Sequence, residues 1–294
     1  MSKSQHRKMR ISSKIAAAAI ALACLLAFSS VPALAANTGT VDATFAAGNT
    51  APKIDSVSPA GPYSVSCNPD GTSTLMFTVR CFDANGNADL KQIDAQLIKG
   101  ATAVGPVVTV TSGTVVDAKR LDYTVTVTFQ YYYTYGADWN VKFTLSDKSS
   151  ATATQTSAAI TYVKAAGITI DSPLSPNKLD FGTLTYGDTS ITQSAVVHNS
   201  ANAPVSVAGS GTAFTSTSSG ASSVPISSLY GGTTTPTSMP STVTSSLPNG
   251  GLGTTPVPGY KVTTNWYVTV PAETPTFVLY GTYTTTVTLT ATAL

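Results

Sequence analysis

Alternation of apolar and polar residues with a period of two constrains this chain more than any other feature. Between Leu121 and Tyr131 every second residue is apolar or aromatic, and the residues between them are Asp, Thr or Gln. The same alternation, with Thr at the polar positions, runs from Val287 to Thr292. Because successive side chains of a β-strand lie on opposite faces, each segment has one face to bury and one to hydrate. The sequence therefore predicts antiparallel sheets that are packed on one side.

Turn signals divide these segments into short strands. Residues 68–71 (Asn-Pro-Asp-Gly) combine a proline that fixes φ with a glycine that accepts positive φ, and residues 83–87 form a second turn. Short strands separated by regular turns are typical of immunoglobulin-like folds. We expect an all-β protein with two tandem immunoglobulin-like antiparallel β-sandwich domains after a cleaved signal peptide.

Composition and strand pattern together suggest where the domains begin and end. Strand-like segments lie on both sides of residues 164–167 (Lys-Ala-Ala-Gly), which we interpret as the boundary between the sandwiches. The segment at about 209–259 is rich in Ser, Thr, Gly and Pro, so we interpret it as an insertion. The expected division is a signal peptide at 1–35, an N-terminal strand or linker at 36–50, and sandwiches at 51–164 and 165–294.

The N-terminus has the three parts of an export signal. Five basic residues precede an uncharged apolar run from Ile15 to Phe28, and Ala33-Leu34-Ala35 is a small-x-small cleavage site. The run is shorter than the ~20 residues that a membrane-spanning helix needs. We expect cleavage before Ala36 and a secreted protein, extracellular or non-covalently associated with the cell surface, without a transmembrane segment in the mature chain.

Export also changes the charge and leaves few reactive residues. Cleavage removes five of the 16 basic residues, which leaves 11 against 14 acidic ones and a net charge of −3. Nucleic acid is therefore not an expected partner. The mature chain keeps one histidine, His198, and one glutamate, Glu273. His198 has no acidic neighbour in the sequence and no nucleophile or zinc motif accompanies it, so we expect a lone surface histidine and no enzyme activity.

Four short segments carry a likeness to known modules. They are residues 82–90 (Phe-Asp-Ala-Asn-Gly-Asn-Ala-Asp-Leu), 139–147 (Trp-Asn-Val-Lys-Phe-Thr-Leu-Ser-Asp), 179–184 (Leu-Asp-Phe-Gly-Thr-Leu) and 196–205 (Val-Val-His-Asn-Ser-Ala-Asn-Ala-Pro-Val). These segments resemble the strands and corners of secreted archaeal and bacterial surface proteins with tandem immunoglobulin-like (PKD-like) β-sandwich modules. In the last segment Ala201 stands where those modules have glycine. The resemblance implies a surface or extracellular role, and a fold by itself does not define a function.

A calcium site is the one metal site that the spacing suggests. Ca²⁺ takes six to eight oxygen ligands, and part of an EF-hand spacing is present, with Asp94 at the twelfth position. The EF-hand glycine at position six and glutamate at position twelve are missing, so a structural turn is the alternative. No cofactor is required by this interpretation, and calcium is the one that the sequence allows. The candidate ligands alternate along the chain: Asp83, Asn85, Asn87 and Asp89.

Cys67 and Cys81 are the cysteines that remain after cleavage. Export and an even count favour a disulfide between them. If residues 72–82 form one strand, however, Cys81 lies roughly 30 Å beyond the preceding turn, whereas a disulfide needs Cα atoms within about 7 Å. Two separate buried thiols and a bond between subunits remain as alternatives.

The densest aromatic cluster is a candidate binding surface. Exposed rings in such a cluster stack against sugars, which would make the protein a glycan- or protein-binding adhesion module. In the alternative interpretation Tyr131 and Tyr133 continue the core face, with Tyr132 exposed. The cluster consists of Tyr131, Tyr132, Tyr133, Tyr135 and Trp139.

One further alternation lies at the mature N-terminus, where Val41, Ala43 and Phe45 are separated by polar residues. This segment is either the first strand of its own sandwich or a donor strand that completes the sheet of a neighbouring subunit. The expected function is structural, in envelope or extracellular filament assembly or adhesion. The expected partners are further copies of the chain or other surface proteins, with glycans in the alternative interpretation.

Overall fold

The computed structural model describes residues 48–171, 178–248, 260–273 and 278–294. Residues Asn49–Leu294 form one compact unit. Two short 3₁₀ helices, Asn87–Asp89 and Ile226–Ser228, accompany the strands. The strands are β1 (Lys53–Ser58), β2 (Tyr63–Val65), β3 (Thr72–Phe82), β4 (Leu90–Lys99), β5 (Thr102–Val110), β6 (Thr114–Asp117), β7 (Arg120–Gln130), β8 (Gly136–Asp147), β9 (Thr152–Thr156), β10 (Ile160–Tyr162), β11 (Ile168–Asp171), β12 (Gln193–Asn199), β13 (Val205–Gly211), β14 (Thr215–Ser216), β15 (Leu229–Gly232), β16 (Thr237–Ser238), β17 (Ser241–Leu247), β18 (Lys261–Val268), β19 (Tyr283–Thr284) and β20 (Val287–Ala293).

The first sandwich consists of two sheets. One has the order β1-β3-β7-β6, and the other has the order β2-β10-β8-β4-β5, with β9 paired to β8. Strand pairing is antiparallel except between β2 and β10, which run parallel. Phe77 of β3 meets Phe143 of β8 edge to face with ring centroids 5.4 Å apart, which joins the two sheets in one core.

The alternation in β7 produces the burial that the sequence predicts. Tyr123, Val125 and Phe129 are buried in the core, whereas Thr124 and Thr126 are exposed. Branched and aromatic side chains suit this half-buried surface, since they pack well against cross-strand neighbours. The predicted all-β sandwich architecture is confirmed.

A second buried cluster lies in the C-terminal part. Its sheets have the orders β11-β12-β18-β15-β16 and β17-β13-β20, and β14 pairs with β19. Buried residues from both sheets, such as Val197, Val207 and Trp266, pack together. β10 ends at Tyr162 and β11 begins at Ile168, so the proposed boundary falls between strands. The division into two domains stays a prediction.

We interpreted the Ser/Thr-rich segment at about 209–259 as an insertion, but up to residue 248 it is part of the sheets. It contributes β15 and β17 to the two sheets, and Leu229, Met239 and Val243 are buried in the second core. Few apolar residues are needed there because every second position faces the core. Residues 249–259 lie outside the described residues.

The expectations for the N-terminus also lie outside the described part of the chain. They concern the signal peptide at 1–35 and the segment up to residue 47. Across the described ranges, no helix has the length and apolar character required to span a bilayer.

Candidate functional site

The outer edge of β20 is the candidate functional site. β20 pairs with β13 over seven consecutive residues without a bulge, from Val287 opposite Gly211 to Ala293 opposite Val205. Within the described ranges β20 is the last strand of its sheet, with no partner on its other side. The backbone N–H and C=O groups on that side can therefore pair with another strand. We call this the β20 edge.

The apolar face at the β20 edge is incompletely covered. Val287, Leu289 and Ala291 pack against the second core, yet each is only half-buried. On the neighbouring β13, Val205 and Val207 are 0% exposed. A further strand along β20 would cover this face and add apolar burial.

Other long or charged edges carry features that hinder strand addition. β1 contains Lys53 and Asp55 and has a register shift against β3. β5 contains Pro106, and the register of β4 and β5 also shifts. β17 has two register shifts against β13, and β9 is five residues long with Ala153 as its apolar residue. β20 (Val-Thr-Leu-Thr-Ala-Thr-Ala) has neither a charge nor a proline. It is therefore a long and regular edge without the usual protection.

A histidine joins the two sandwiches, which corrects the expectation of a lone surface histidine. His198 Nε2 lies 2.7 Å from Asp70 Oδ1 in the turn before β3, and Nδ1 lies 2.8 Å from Asp171 Oδ1 at the end of β11. Lys261 Nζ lies 2.6 Å from the other oxygen of Asp171. His198 is 8% exposed. These four residues form what we call the His198 junction.

Hydrogen bonds and an ion pair hold the His198 junction together. Both ring nitrogens face carboxylates, and both can donate only when the imidazole is protonated. The hydrogen bond from Lys261, with His198 nearby, holds the pKa of Asp171 below its usual value. The sequence did not reveal these partners because they lie 27 and 128 residues away from His198.

The corner at 196–205 contributes a second link between the sandwiches. Asn202 is 0% exposed, and its side chain donates to the carbonyl of Val163 at 2.7 Å and accepts from the N–H of Ala165 at 2.7 Å. Ala201 is also fully buried. The segment that carries the resemblance in the second half therefore contacts the first sandwich.

Of the four predicted calcium ligands, Asp83 and Asp89 lie close together, whereas Asn85 and Asn87 bind elsewhere. Asn85 Oδ1 accepts from the N–H of Thr50 at 2.9 Å, and Asn87 Nδ2 donates to the carbonyl of Asp117 at 2.5 Å. Asp94 lies in β4 and accepts from Thr109 Oγ1 at 2.6 Å. The EF-hand interpretation is therefore wrong, because turn and strand geometry direct these side chains apart.

Asp83 and Asp89 instead meet Asp147, the last residue of β8. One carboxylate oxygen from each of the three lies within 4.8 Å of the others. We call these residues the acidic cluster. The sequence could have revealed the third member through strand register, since Leu90 at the start of β4 pairs with Asp147.

The predicted disulfide is absent, since among the described residues both Cys67 and Cys81 are free thiols. β3 runs unbroken to Phe82, so Cys81 lies at one end of the sheet opposite Leu121. Cys67 lies at the other end, with Sγ 3.8 Å from the carbonyl of Tyr131. Burial raises the pKa of both thiols, that of Cys81 to about 12.

The aromatic cluster is mainly core, which contradicts a five-ring binding platform. Tyr133 and Trp139 are 1% and 0% exposed and stack with ring centroids 5.6 Å apart. Tyr132 is half-buried against the same core rather than exposed. Tyr131 and Tyr135 are also half-buried, and Lys164 Nζ lies 5.1 Å from the Tyr135 ring centroid.

No protein-family model matches this chain, and neither does any protein of curated function. Among solved structures, it is similar to the complex of CsuC and CsuE, a chaperone and tip adhesion subunit before assembly, from the archaic chaperone-usher Csu pili of Acinetobacter baumannii. The identity is 17%, the match covers 80% of this chain and 99% of that chain, and the TM-score is 0.32. A TM-score of this size carries no argument about function.

Proposed function

We propose that the mature protein is a structural subunit that assembles with further copies of itself by strand addition at the β20 edge. The donor is the segment containing Val41, Ala43 and Phe45 of a second copy. The observation that carries the proposal is the seven-residue, uncharged and unbulged β20 edge with its half-buried apolar face. Strand addition gives affinity through the backbone and specificity through alternate side chains.

The reach of the chain favours a donor from another copy. Asn49 and Thr50 are bound next to the turn that follows β3, through Asp147 and Asn85. Phe45 precedes Asn49 by four residues in the sequence, and four residues of fully extended chain reach at most about 14 Å.

The chain's own β20 lies beyond that distance. Its C-terminal end is near the link between the sandwiches, since Leu294 N donates to the carbonyl of Pro204 at 2.8 Å. That link lies at the opposite end of the 11-residue strand β3, about 35 Å away at strand rise. The donor segment therefore serves a neighbour's β20 rather than its own.

The proposal also includes export of the protein and a structural role. Export with cleavage before Ala36 would free the donor segment at the N-terminus, and the role is structural rather than enzymatic. Such a subunit is compatible with the resemblance to secreted PKD-like surface modules. It is also compatible with a location at or beyond the cell surface and with other surface proteins as partners. A glycan-binding function has less support, because burial of Tyr133 and Trp139 removes two rings from the supposed platform.

The test compares assembly of the mature chain, residues 36–294, with that of paired variants. Light scattering and negative-stain electron microscopy should show oligomers or filaments for the wild type. Phe45→Asp places a charge on the apolar face of the donor and should leave monomers, whereas the uncharged change Thr44→Ser should still assemble. On the acceptor side, Thr290→Lys in β20 should block assembly, and Thr154→Lys in β9 should not.

The outcomes separate the alternatives. A wild type that remains monomeric at millimolar concentration would refute assembly. Oligomers that persist in Thr290→Lys but are lost in Thr154→Lys would place the interface at β9 instead. A synthetic peptide of residues 36–48 should bind the variant that lacks this segment and should not bind Thr290→Lys.

A further inference from the structure

The acidic cluster occurs where three strand ends meet. Asp83 follows β3, Asp89 ends the first 3₁₀ helix and immediately precedes β4, and Asp147 ends β8. Asp83 and Asp147 are 0% exposed, and Asp89 is half-buried. Like charges at this separation and burial repel one another strongly.

Local hydrogen bonds satisfy only some of these oxygens. Asp83 Oδ1 accepts from the N–H of Asn85 at 2.7 Å. Asp147 accepts from the N–H of Ala151 and from Asn49 Nδ2, both at 2.8 Å. Asp83 Oδ2 is buried and has no hydrogen-bond partner among the described residues. A buried carboxylate oxygen without a partner carries a large desolvation cost.

The ion pairs of the protein lie away from this cluster, as far as the chain is described. None of the ion pairs formed within the described ranges involves Asp83, Asp89 or Asp147. The cluster is thus an oxygen-only site with excess negative charge and one oxygen that lacks a partner.

We propose that Asp83, Asp89 and Asp147 bind a Ca²⁺ ion. Oxygen ligands without nitrogen or sulfur suit a hard cation. Two ligands of one Ca²⁺ lie at most about 5 Å apart, given bonds of roughly 2.3–2.6 Å, and the three oxygens lie within 4.8 Å of one another. The ion would be the partner that Asp83 Oδ2 lacks. Backbone carbonyls and water complete the coordination.

The ion would stabilise the end of the first sandwich from which the N-terminal segment leaves. It would tie the end of β3 to the start of β4 and the end of β8. Asn49 binds Asp147, and Thr50 binds Asn85 in the same turn. Calcium would therefore also stabilise the segment around Asn49 and Thr50, which follows residues 36–48 in the chain. This proposal is independent of strand addition, because it requires only the first sandwich.

The test uses the mature chain after treatment with EDTA and dialysis. Isothermal titration with CaCl₂ should show binding in the range of extracellular calcium modules, about 10⁻⁴–10⁻³ M. At 100 times the dissociation constant, the unfolding temperature should rise by roughly 5 °C or more. MgCl₂ at the same concentration should give a smaller rise, since Mg²⁺ needs shorter bonds and near-ideal octahedral geometry.

The variant Asp83→Asn separates a metal ligand from a structural residue. It should abolish the calcium-induced rise and weaken binding at least tenfold. In EDTA it should unfold at the wild-type temperature or above it, because it removes a buried charge. The matched control Asp94→Asn removes an acid of the EF-hand spacing that lies outside the cluster, and it should keep the full response. If Asp83→Asn fails to fold, Asp89→Asn is the second variant of a proposed ligand, because Asp89 is only half-buried.

Two results would overturn the proposal. One is a wild type without calorimetric heat or a temperature shift at 10 mM CaCl₂. The other is a calcium response that survives in both Asp83→Asn and Asp89→Asn, which would locate the binding elsewhere.

Discussion

The His198 junction offers a measurable test of how the two sandwiches are held together. The perturbation is a double-mutant cycle of Asp70→Asn and His198→Gln. His198 contacts Asp70 of the first sandwich and Asp171 of the second at 2.7 and 2.8 Å. Glutamine keeps much of the ring's volume but cannot place one nitrogen against each of the two carboxylates.

The expected loss of stability depends on how exposed Asp70 and Asp171 are. A hydrogen bond to a charged group contributes about 1.5–3 kcal/mol when water is excluded. The side chains of Asp70 and Asp171 are 38% and 30% exposed, so solvent screening reduces each contribution, to about 1 kcal/mol. His198→Gln should therefore lower the free energy of unfolding by about 2 kcal/mol, and its coupling to Asp70→Asn should be about 1 kcal/mol.

Urea unfolding followed by tryptophan fluorescence suits this cycle. The chain has two tryptophans, with Trp139 in the first core and Trp266 in the second. A control cycle pairs Asp70→Asn with Arg80→Gln near the far end of β3, and those effects should add within about 0.5 kcal/mol. A coupling below about 0.3 kcal/mol between Asp70 and His198 would refute the reasoning, since it would mean that the contact does not join the sandwiches energetically.

Three further predictions concern the first sandwich. Arg80 lowers the pKa of Asp122 through a hydrogen bond, so Asp122→Asn should be less stable than the wild type at pH 7. In urea titrations that difference should start to shrink as the pH falls below about 4, and it should vanish only below the lowered pKa of Asp122, where the wild-type carboxyl is also neutral. Trp139→Ala should cost about 3–5 kcal/mol in urea unfolding, because it leaves a cavity beside Tyr133; a loss below about 1 kcal/mol would contradict the burial. Cys81 should resist a thiol reagent in the native protein and react in urea, since burial raises its pKa to about 12; fast native labelling would contradict this assignment.

The sequence was most informative where local pattern determines structure. The alternation in β7 identifies Tyr123 and Phe129 as core residues, because strand geometry alone assigns the faces. Trp139 was less predictable, since an aromatic residue after a turn serves equally well in a core or on a surface. Its burial follows from packing against Tyr133, six positions earlier, and against Tyr162 of β10.

Polar clusters were the least predictable elements, because distant parts of the chain supply their members. Asp70 reaches His198 across 128 positions. Asp147 joins Asp83 and Asp89 through the antiparallel register of β4 and β8. Spacing along the chain suggested Asn85 and Asn87 as ligands, but each side chain instead has a partner in a neighbouring segment.

The distribution of charge supports the proposed use of β20. Charged residues make up 10% of the chain, and several of them lie on edges. Arg120 binds Asp55 of β1 and Asp117 of β6, and Asp171 ends β11. An edge that carries a charge resists strand addition, because pairing would desolvate that charge. β20 has seven residues and no such charge. Thr290 of β20 is exposed, so Thr290→Lys should change the stability of the monomer by less than about 0.5 kcal/mol. If it nevertheless abolishes assembly, the open edge is a binding surface.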